Sequence, residues 1–191
     1  MFERGIRDFE IIERWGIVRA HRRGSVAAHS HRVAIYADQI AEFISWKGDR
    51  AALLRFALWH DAFELVTGDM PGPVKRMLID PVRAKRVEAD ILSSMFPGME
   101  WTHPGPEVCA IVKVADCIDE LLWLIVEFRM GNDMLQTVMN DSAKRLEAKM
   151  KELPCSILTR AMLEKELQQV IDDHEDKDPQ AVVDFDVAAT H

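Results

Sequence analysis

In the stretch LLRFALWHDAFELVTGDMPGPVK, residues 53–75, a largely apolar run is followed by a histidine and two carboxylates. His60, Asp61 and Glu64 follow leucine, phenylalanine and tryptophan closely enough for one core-forming helix to carry them inward. Burying an imidazole and two carboxylates costs several kcal/mol unless they are paired or bound to a cation. The stretch therefore predicts a cation site built into a helical core. The competing interpretation is a salt-bridged surface with both acids in water.

The rest of the chain has helical spacing and no sustained alternation typical of a strand. Ser25 is a predicted N-cap, and from it apolar positions recur every three or four residues as far as Ile44. Proline and glycine separate further predicted helices at 50–65, 73–78, 82–95, 106–130, 133–152 and 157–173. The predicted fold is all-α, with one helical domain over residues 1–175.

Composition and charge limit the class of protein. The chain has 191 residues, of which 48% are hydrophobic and 29% charged, and a net charge of −8. These values are typical of a folded domain, and the acidic balance disfavours a nucleic acid polymer as a partner. Residues 176–191 are mostly acidic or small, which predicts a flexible tail. Residues 14–37 instead carry five arginines and no acid, a local field that suits a small anion.

Neither a membrane segment nor a disulfide framework is expected. The longest uncharged apolar run, residues 121–126, is far shorter than the roughly 20 residues that span a bilayer. Three cysteines cannot all pair, and none forms a C-x-x-C motif. The first residues mix acids and bases without the apolar region of a signal peptide. These features predict a cytoplasmic protein.

Two further polar residues lie in apolar helix stripes. His29 belongs to the stripe that begins at the first predicted N-cap, and Asp116 lies beside the stripe of the helix at 106–130. A lone inward histidine is more often a hydrogen-bonded core residue. Together with His60 and Asp61, however, the two supply four ligands of net charge −2. Imidazole with carboxylate suits divalent first-row transition metals better than calcium or magnesium.

Five motifs follow one another along the chain. They are Arg14-Trp15, His29 within SVAAHS, the block HDAFELVTGDMPGPVK at 60–75, KVAD at 113–116, and Gly131-Asn132. In this order and spacing the chain resembles the HD-domain metal-dependent phosphohydrolases, and more narrowly their bacterial 5′-deoxynucleotidase branch. The similarity covers about residues 10–135.

The resemblance implies one divalent transition metal per chain, with cobalt, manganese and zinc as candidates. The implied ligands are His29, His60, Asp61 and Asp116. Glu64, one helical turn after the His-Asp pair, would act on the attacking water as a catalytic residue. A carboxylate at that distance can orient the water and take its proton.

The resemblance also implies substrate contacts. Arg14 would meet the phosphate, Trp15 would pack beside the sugar and select deoxyribose, and Asp69 would act in the region of the sugar hydroxyls. Lys75, near the start of the helix at 73–78, is a further candidate phosphate partner. Lys113 is either a second phosphate contact or the salt-bridge partner of the nearby aspartate.

One departure from the family pattern concerns the support of the first histidine. Many relatives carry an acid before that histidine, where this chain has Ala27-Ala28. The carboxylate that would hold the second nitrogen of His29 is therefore not evident from the motif.

The implied activity is hydrolysis of deoxyribonucleoside 5′-monophosphates to deoxynucleoside and phosphate. One alternative is a deoxynucleoside triphosphate triphosphohydrolase, which would release tripolyphosphate. Another is a metal-binding regulatory module without catalysis, against which the presence of Glu64 and all four ligands argues. The expected partners are a small deoxynucleotide and a second copy of the chain, because apolar positions continue through 133–173.

Overall fold

The computed structural model describes residues 6–72, 80–97 and 104–176. The predicted helix at 73–78, with Lys75, and the acidic tail after residue 176 lie outside these ranges. The described helices are α1 (Val26–Phe43), α2 (Arg50–Trp59), α3 (Glu64–Thr67), α4 (Pro81–Met95), α5 (Pro106–Arg129), α6 (Gln136–Met150) and α7 (Ile157–Asp176). Short 3₁₀ helices lie at Ile6–Glu10 and Asp133–Leu135. These residues contain no strand, so the predicted all-α class is confirmed.

α5 is the central helix. It buries 15 of its 24 residues and packs against α1, α2, α6 and α7. A helix that is apolar on most of its circumference is stable only inside a core, and Ile111, Val114 and Leu124 are completely covered. No helix in the described ranges combines the length and apolarity needed to cross a membrane.

Local signals fix the ends of the helices that precede the site. The Ser25 side chain accepts a hydrogen bond from an amide in the first turn of α1, so the predicted N-cap is confirmed. Asp49 caps α2 in the same way by accepting from two amides. Gly68, with φ of +70°, ends α3 in a conformation that suits glycine.

The predicted helix at 50–65 is not continuous. α2 stops at Trp59 and a turn joins it to α3. In this turn the amides of Ala62 and Glu64 donate to carbonyls three residues earlier, which is the tighter 3₁₀ pattern. The His60 ring occupies a carbonyl that a continued α-helix would use. The prediction of one helix was wrong because side-chain competition for the backbone leaves no mark on apolar periodicity.

Backbone pairing and a small apolar core hold the segment before α1 in place. Glu13 forms an isolated antiparallel bridge with Ser25, and the Arg14 amide donates to the Gly24 carbonyl at 2.8 Å. Phe9 is buried in a small second core formed with α1 and the turn after α2. These contacts bring the Arg14-Trp15 pair against the ends of α1 and α2.

The loop between Trp15 and Ser25 carries Arg19, Arg22 and Arg23 and is called the basic loop here. A buried carboxylate near the end of α5 holds it in place. Glu127 has no exposed surface, and its two oxygens accept the backbone amides of His21 and Arg22 at 2.8 Å each. The Asn132 side-chain amide donates to it as well. Burial raises the pKa of Glu127, but the two backbone hydrogen bonds and those from Asn132 and the His21 ring outweigh that effect and leave it below its usual range.

The apolar positions at 133–173 divide into two groups. One group lies in the core of the chain itself: Leu146, Met150, Leu153 and Leu163. The other is exposed: Met134, Ile157 and Val170. Leu167 is partly buried against the same core. Folding of a single chain thus accounts for the first group, and the exposed group is available for a contact between subunits.

Replacing Glu127 by alanine should lower the free energy of unfolding by about 2 kcal/mol, because buried amides of the basic loop lose a charged acceptor. Urea denaturation of both proteins measures the difference. Glu152→Ala is the matched control, because that glutamate forms an exposed pair with Lys149 and should change stability by less than about 0.5 kcal/mol. Equal effects of the two substitutions would contradict the anchoring role.

Candidate metal centre

Four side chains from three parts of the chain converge where α1, α5 and the turn after α2 meet. The Nε2 atom of His29 lies 3.4 Å from Asp61 Oδ2 and 3.3 Å from Asp116 Oδ1. His60 Nε2 lies 3.2 Å from the same Asp61 oxygen. Donor atoms of His29, His60 and Asp116 all lie within 4.8 Å of one another. The four residues predicted as ligands are thus brought together.

The orientation of the two imidazole rings suits a metal ion. The Nδ1 atom of His60 donates to the Ala57 carbonyl at 2.7 Å, and His29 Nδ1 lies 2.7 Å from a carboxylate oxygen of Asp119. Both Nε2 atoms are buried, and neither has a hydrogen-bond partner among the described residues. A buried nitrogen in that state is costly unless its lone pair meets a cation. The two rings therefore direct both Nε2 atoms at one point between two carboxylates.

The carboxylates around this point require a positive charge beside them. Burial disfavours protonation of His29, yet the carboxylates of Asp116, Asp119 and Asp61 beside its ring outweigh that effect and raise its pKa to about 10. Burial would raise the pKa of Asp61, but His60, His29 and Arg14 together hold it well below its usual range. In the metal-free protein a proton on His29 supplies part of the charge, so a metal that takes Nε2 releases that proton.

Asp119 and Arg32 form a second layer that the sequence motifs do not include. The Asp119 carboxylate receives the His29 ring on one oxygen and the Arg32 guanidinium on both. This carboxylate fixes the orientation of the imidazole and raises its basicity. It fills the role left open by Ala27-Ala28, with the acid on α5 instead of α1. Its spacing of three residues from Asp116 was the available signal, because the two share a helix face.

Glu64 lies at the first residue of α3, directly beside this cluster. Its amide donates to the Asp61 carbonyl at 2.9 Å, which keeps the two carboxylates in one short turn. The side chain is only 4% exposed. The Glu64 side chain is thus buried, and its backbone is bonded to that of a candidate ligand.

Arg14 reaches the cluster from the N-terminal segment. Its Nη1 lies 3.3 Å from Asp61 Oδ2, with the side chain 15% exposed. Burial lowers its pKa, but the charges of Asp61, Asp116 and Glu64 outweigh that and raise it above its usual value. Arg14 is thus a permanently charged group held among carboxylates.

Lys113 forms a salt bridge with a candidate ligand. Its Nζ lies 2.5 Å from Asp116 Oδ2, while the side chain stays half exposed. The charge of Asp116 raises the pKa of Lys113 despite partial burial. Of the two roles open from the sequence, the structure contains the salt bridge. Lys75, the other predicted phosphate contact, lies outside the described residues.

Trp15 and Asp69 contact each other in a way that the sequence did not indicate. The Trp15 backbone amide donates to Asp69 Oδ2 at 2.8 Å, so this carboxylate supports the backbone of its neighbour. The Trp15 indole stacks on Trp123 of α5, with ring centroids 4.7 Å apart and an angle of 4° between the planes. Trp123 carried no functional signal in the sequence.

A small pocket lies next to the cluster. Its wall combines cations, acids and the two stacked indoles. The side chains that line it include Arg14, Trp15, Arg32, Asp119, Glu120 and Trp123. The pocket wall thus contains both the Asp119 carboxylate, which contacts His29, and the stacked indoles of Trp15 and Trp123.

The chain is similar in sequence to known proteins. The family model for YfbR-like 5′-deoxynucleotidases matches residues 1–165. A 5′-deoxynucleotidase of Klebsiella pneumoniae is 32% identical over 143 residues, covering 65% of this chain and 71% of the relative. The 5′-deoxynucleotidase YfbR of Salmonella typhi is 30% identical over 160 residues, covering 72% and 78%.

Solved structures agree on the fold. The cyanophage S-2L HD phosphohydrolase DatZ, solved with dA and one catalytic Zn²⁺ ion, superposes with a TM-score of 0.70 at 21% identity over 91% of this chain and 98% of that one. A conserved hypothetical protein of Pyrococcus furiosus gives a TM-score of 0.56 at 22% identity, covering 75% and 92%. The predicted helical HD-domain fold is confirmed.

Asp119→Asn should weaken metal binding about 10- to 100-fold, because His29 loses the charged acceptor that orients it. Titration of chelator-treated protein with Zn²⁺ or Co²⁺ measures the affinity. Glu120→Gln is the matched control, since it removes the adjacent acid of α5, whose partner is Arg145. An unchanged affinity in Asp119→Asn would show that the contact to His29 is not needed for the site.

Proposed function

Because the chain belongs to the YfbR-like 5′-deoxynucleotidase family, we propose that it removes the 5′-phosphate from deoxyribonucleoside monophosphates in a metal-dependent hydrolysis. The observation that carries this proposal is the pair of buried imidazoles whose Nε2 atoms have no hydrogen-bond partner and lie beside two carboxylates. Relatives about 30% identical are named for the same activity. The products are a deoxynucleoside and orthophosphate.

The proposed metal ligands are His29, His60, Asp61 and Asp116. Two imidazoles and two carboxylates form a donor set that suits zinc, cobalt or manganese. When bound, such a metal acts as a Lewis acid on the phosphate and lowers the pKa of a coordinated water. The four ligands contribute a charge of −2, which one divalent ion neutralises.

Glu64 is proposed as the base that orients the attacking water and takes its proton. The carboxylate is covered, and its backbone is fixed to Asp61 by a hydrogen bond. A carboxylate held in one position next to a metal ligand can orient a water molecule and accept its proton.

Arg14 is proposed to bind the phosphate. The guanidinium has five N–H donors in a planar fork, and its contact with Asp61 uses one nitrogen at 3.3 Å. The remaining donors are available to phosphate oxygens, which are acceptors of the geometry that arginine favours. Lys113 and Lys75 are proposed as additional cations near the phosphate.

Trp15 is proposed to pack against the sugar and to disfavour ribose. An indole in contact with C2′ would clash with an extra hydroxyl or remove water from it, and about 1.4 kcal/mol of such a penalty is a tenfold difference in rate. Asp69, which holds the Trp15 amide, is proposed to act in the region of the sugar hydroxyls. The substrate is thus a small deoxynucleotide.

We further propose that the protein is a cytoplasmic homodimer with a single domain over residues 1–175 and a flexible acidic tail. The exposed apolar residues of the C-terminal part are available for the subunit contact: Met134, Ile157, Leu158, Met162 and Val170. A subunit contact would cover apolar surface that the fold of the single chain leaves exposed.

Glu64→Gln should retain one metal per chain and lose turnover by a factor of about 10² to 10⁴, because the amide cannot accept the proton of the attacking water. Phosphate release from dAMP and elemental analysis are measured on the same preparation. Glu42→Gln, at the far end of α1, provides a control of identical chemistry. Near-normal turnover in Glu64→Gln would refute the proposed base.

Phosphorus NMR of reactions with dAMP and dATP distinguishes the proposed activity from its alternatives. Hydrolysis of dAMP should give orthophosphate. Tripolyphosphate from dATP, with dAMP left intact, would instead establish the triphosphohydrolase. Absence of any product in metal-loaded protein would favour the regulatory module.

A further inference from the structure

Trp15 has a backbone conformation that large residues rarely adopt. Its φ is +64°, in the left-handed region that costs a residue with a Cβ roughly 1–2 kcal/mol. Such a conformation persists where surrounding contacts specify it. The Asp69 carboxylate accepts the Trp15 amide at 2.8 Å, and the Trp15 carbonyl accepts the Val18 amide at 3.0 Å. The backbone of this residue is therefore held from both sides.

Its side chain is held by a different element. The Trp15 indole lies flat on Trp123, with centroids 4.7 Å apart and planes within 4° of parallel. Stacked aromatic pairs contribute about 0.5–1.5 kcal/mol beyond the area that they bury. Because an indole on a loop has few other constraints, this contact selects one rotamer of Trp15.

Trp123 lies on the helix that also carries a candidate metal ligand. It stands seven residues after Asp116 on α5, which is two turns or about 10 Å along the same face of the helix. The small pocket beside the cluster has both indoles and Asp119 in its wall. One rigid helix thus sets the distance between the candidate metal ligand and the indole plane.

Resting on the proposed function, we propose that Trp123 is a positioning residue that sets the preference for deoxyribose by fixing the Trp15 indole. Trp123 need not contact the substrate for this role. Without the stacking partner, the Trp15 indole gains rotamers that leave room for a 2′-hydroxyl. Discrimination between sugars falls, while the metal ligands on α5 keep their positions.

The test compares kcat/KM for dAMP and AMP in the wild type, Trp123→Ala and Trp123→Phe. Trp123→Ala should lower the dAMP-to-AMP ratio about tenfold at unchanged metal content, and Trp123→Phe should restore most of it because a flat ring can still stack. Trp46→Ala is the matched control, since Trp46 bonds to Glu107 in the first turn of α5, at the opposite end from Trp123. Its ratio should equal that of the wild type.

A second readout separates this proposal from the activity itself. Dissociation constants of dAMP and AMP are measured by calorimetry in Glu64→Gln, with and without Trp123→Ala. The ratio of the two constants should move toward one when Trp123 is removed. If the wild type releases phosphate from no deoxynucleotide, the proposed function fails, whereas this binding ratio still decides the role of Trp123. An equal loss for both sugars, or binding of neither nucleotide, overturns the proposal.

Discussion

The structure depends on a concentration of negative charge inside its core. Asp61, Asp116 and Asp119 all lie within hydrogen-bonding or ion-pairing distance of the His29 ring, which is fully buried. Carboxylates do not gather in a protein interior without cations, since the cost of removing each from water is several kcal/mol. The packing of the surrounding helices therefore requires positive groups that neutralise these carboxylates.

The described residues supply those groups from several directions. Arg14 contacts Asp61, Lys113 contacts Asp116, and Arg32 contacts Asp119. Of the three cations, Arg32 pairs with the acid behind the histidine, whereas the other two pair with candidate ligands. Under the proposed function, a divalent ion among the ligands would supply the charge that Arg14 and Lys113 now supply, and these two cations would then be available to a phosphate. In the metal-free protein the same two residues stabilise the buried carboxylates.

Local patterns predicted the helices and the candidate ligands because both depend on near neighbours in the chain. Ser25 and Gly68 act through contacts within their own turns, and the inward direction of His29 follows from its place in an apolar stripe. Asp119 was missed because its partner lies 90 residues away. The stacking of Trp123 on Trp15 is a long-range contact of the same kind. The break at His60 was missed because it depends on which hydrogen bond a side chain makes, and apolar spacing carries no information on that choice.

The face of α5 that begins at Asp116 unites these long-range contacts. Asp119, Trp123 and Glu127 follow it at intervals of three or four residues, so their side chains project in nearly one direction over about 16 Å of helix. In order, they orient the buried histidine, stack on the loop indole and anchor the basic loop. An α-helix buried on most sides deforms little, and groups carried on such an element are held more exactly than groups on loops. The N-terminal segment is irregular, yet its position relative to the metal cluster is determined, because Trp15 stacks on this helix, Arg14 contacts Asp61, and Phe9 packs against α1.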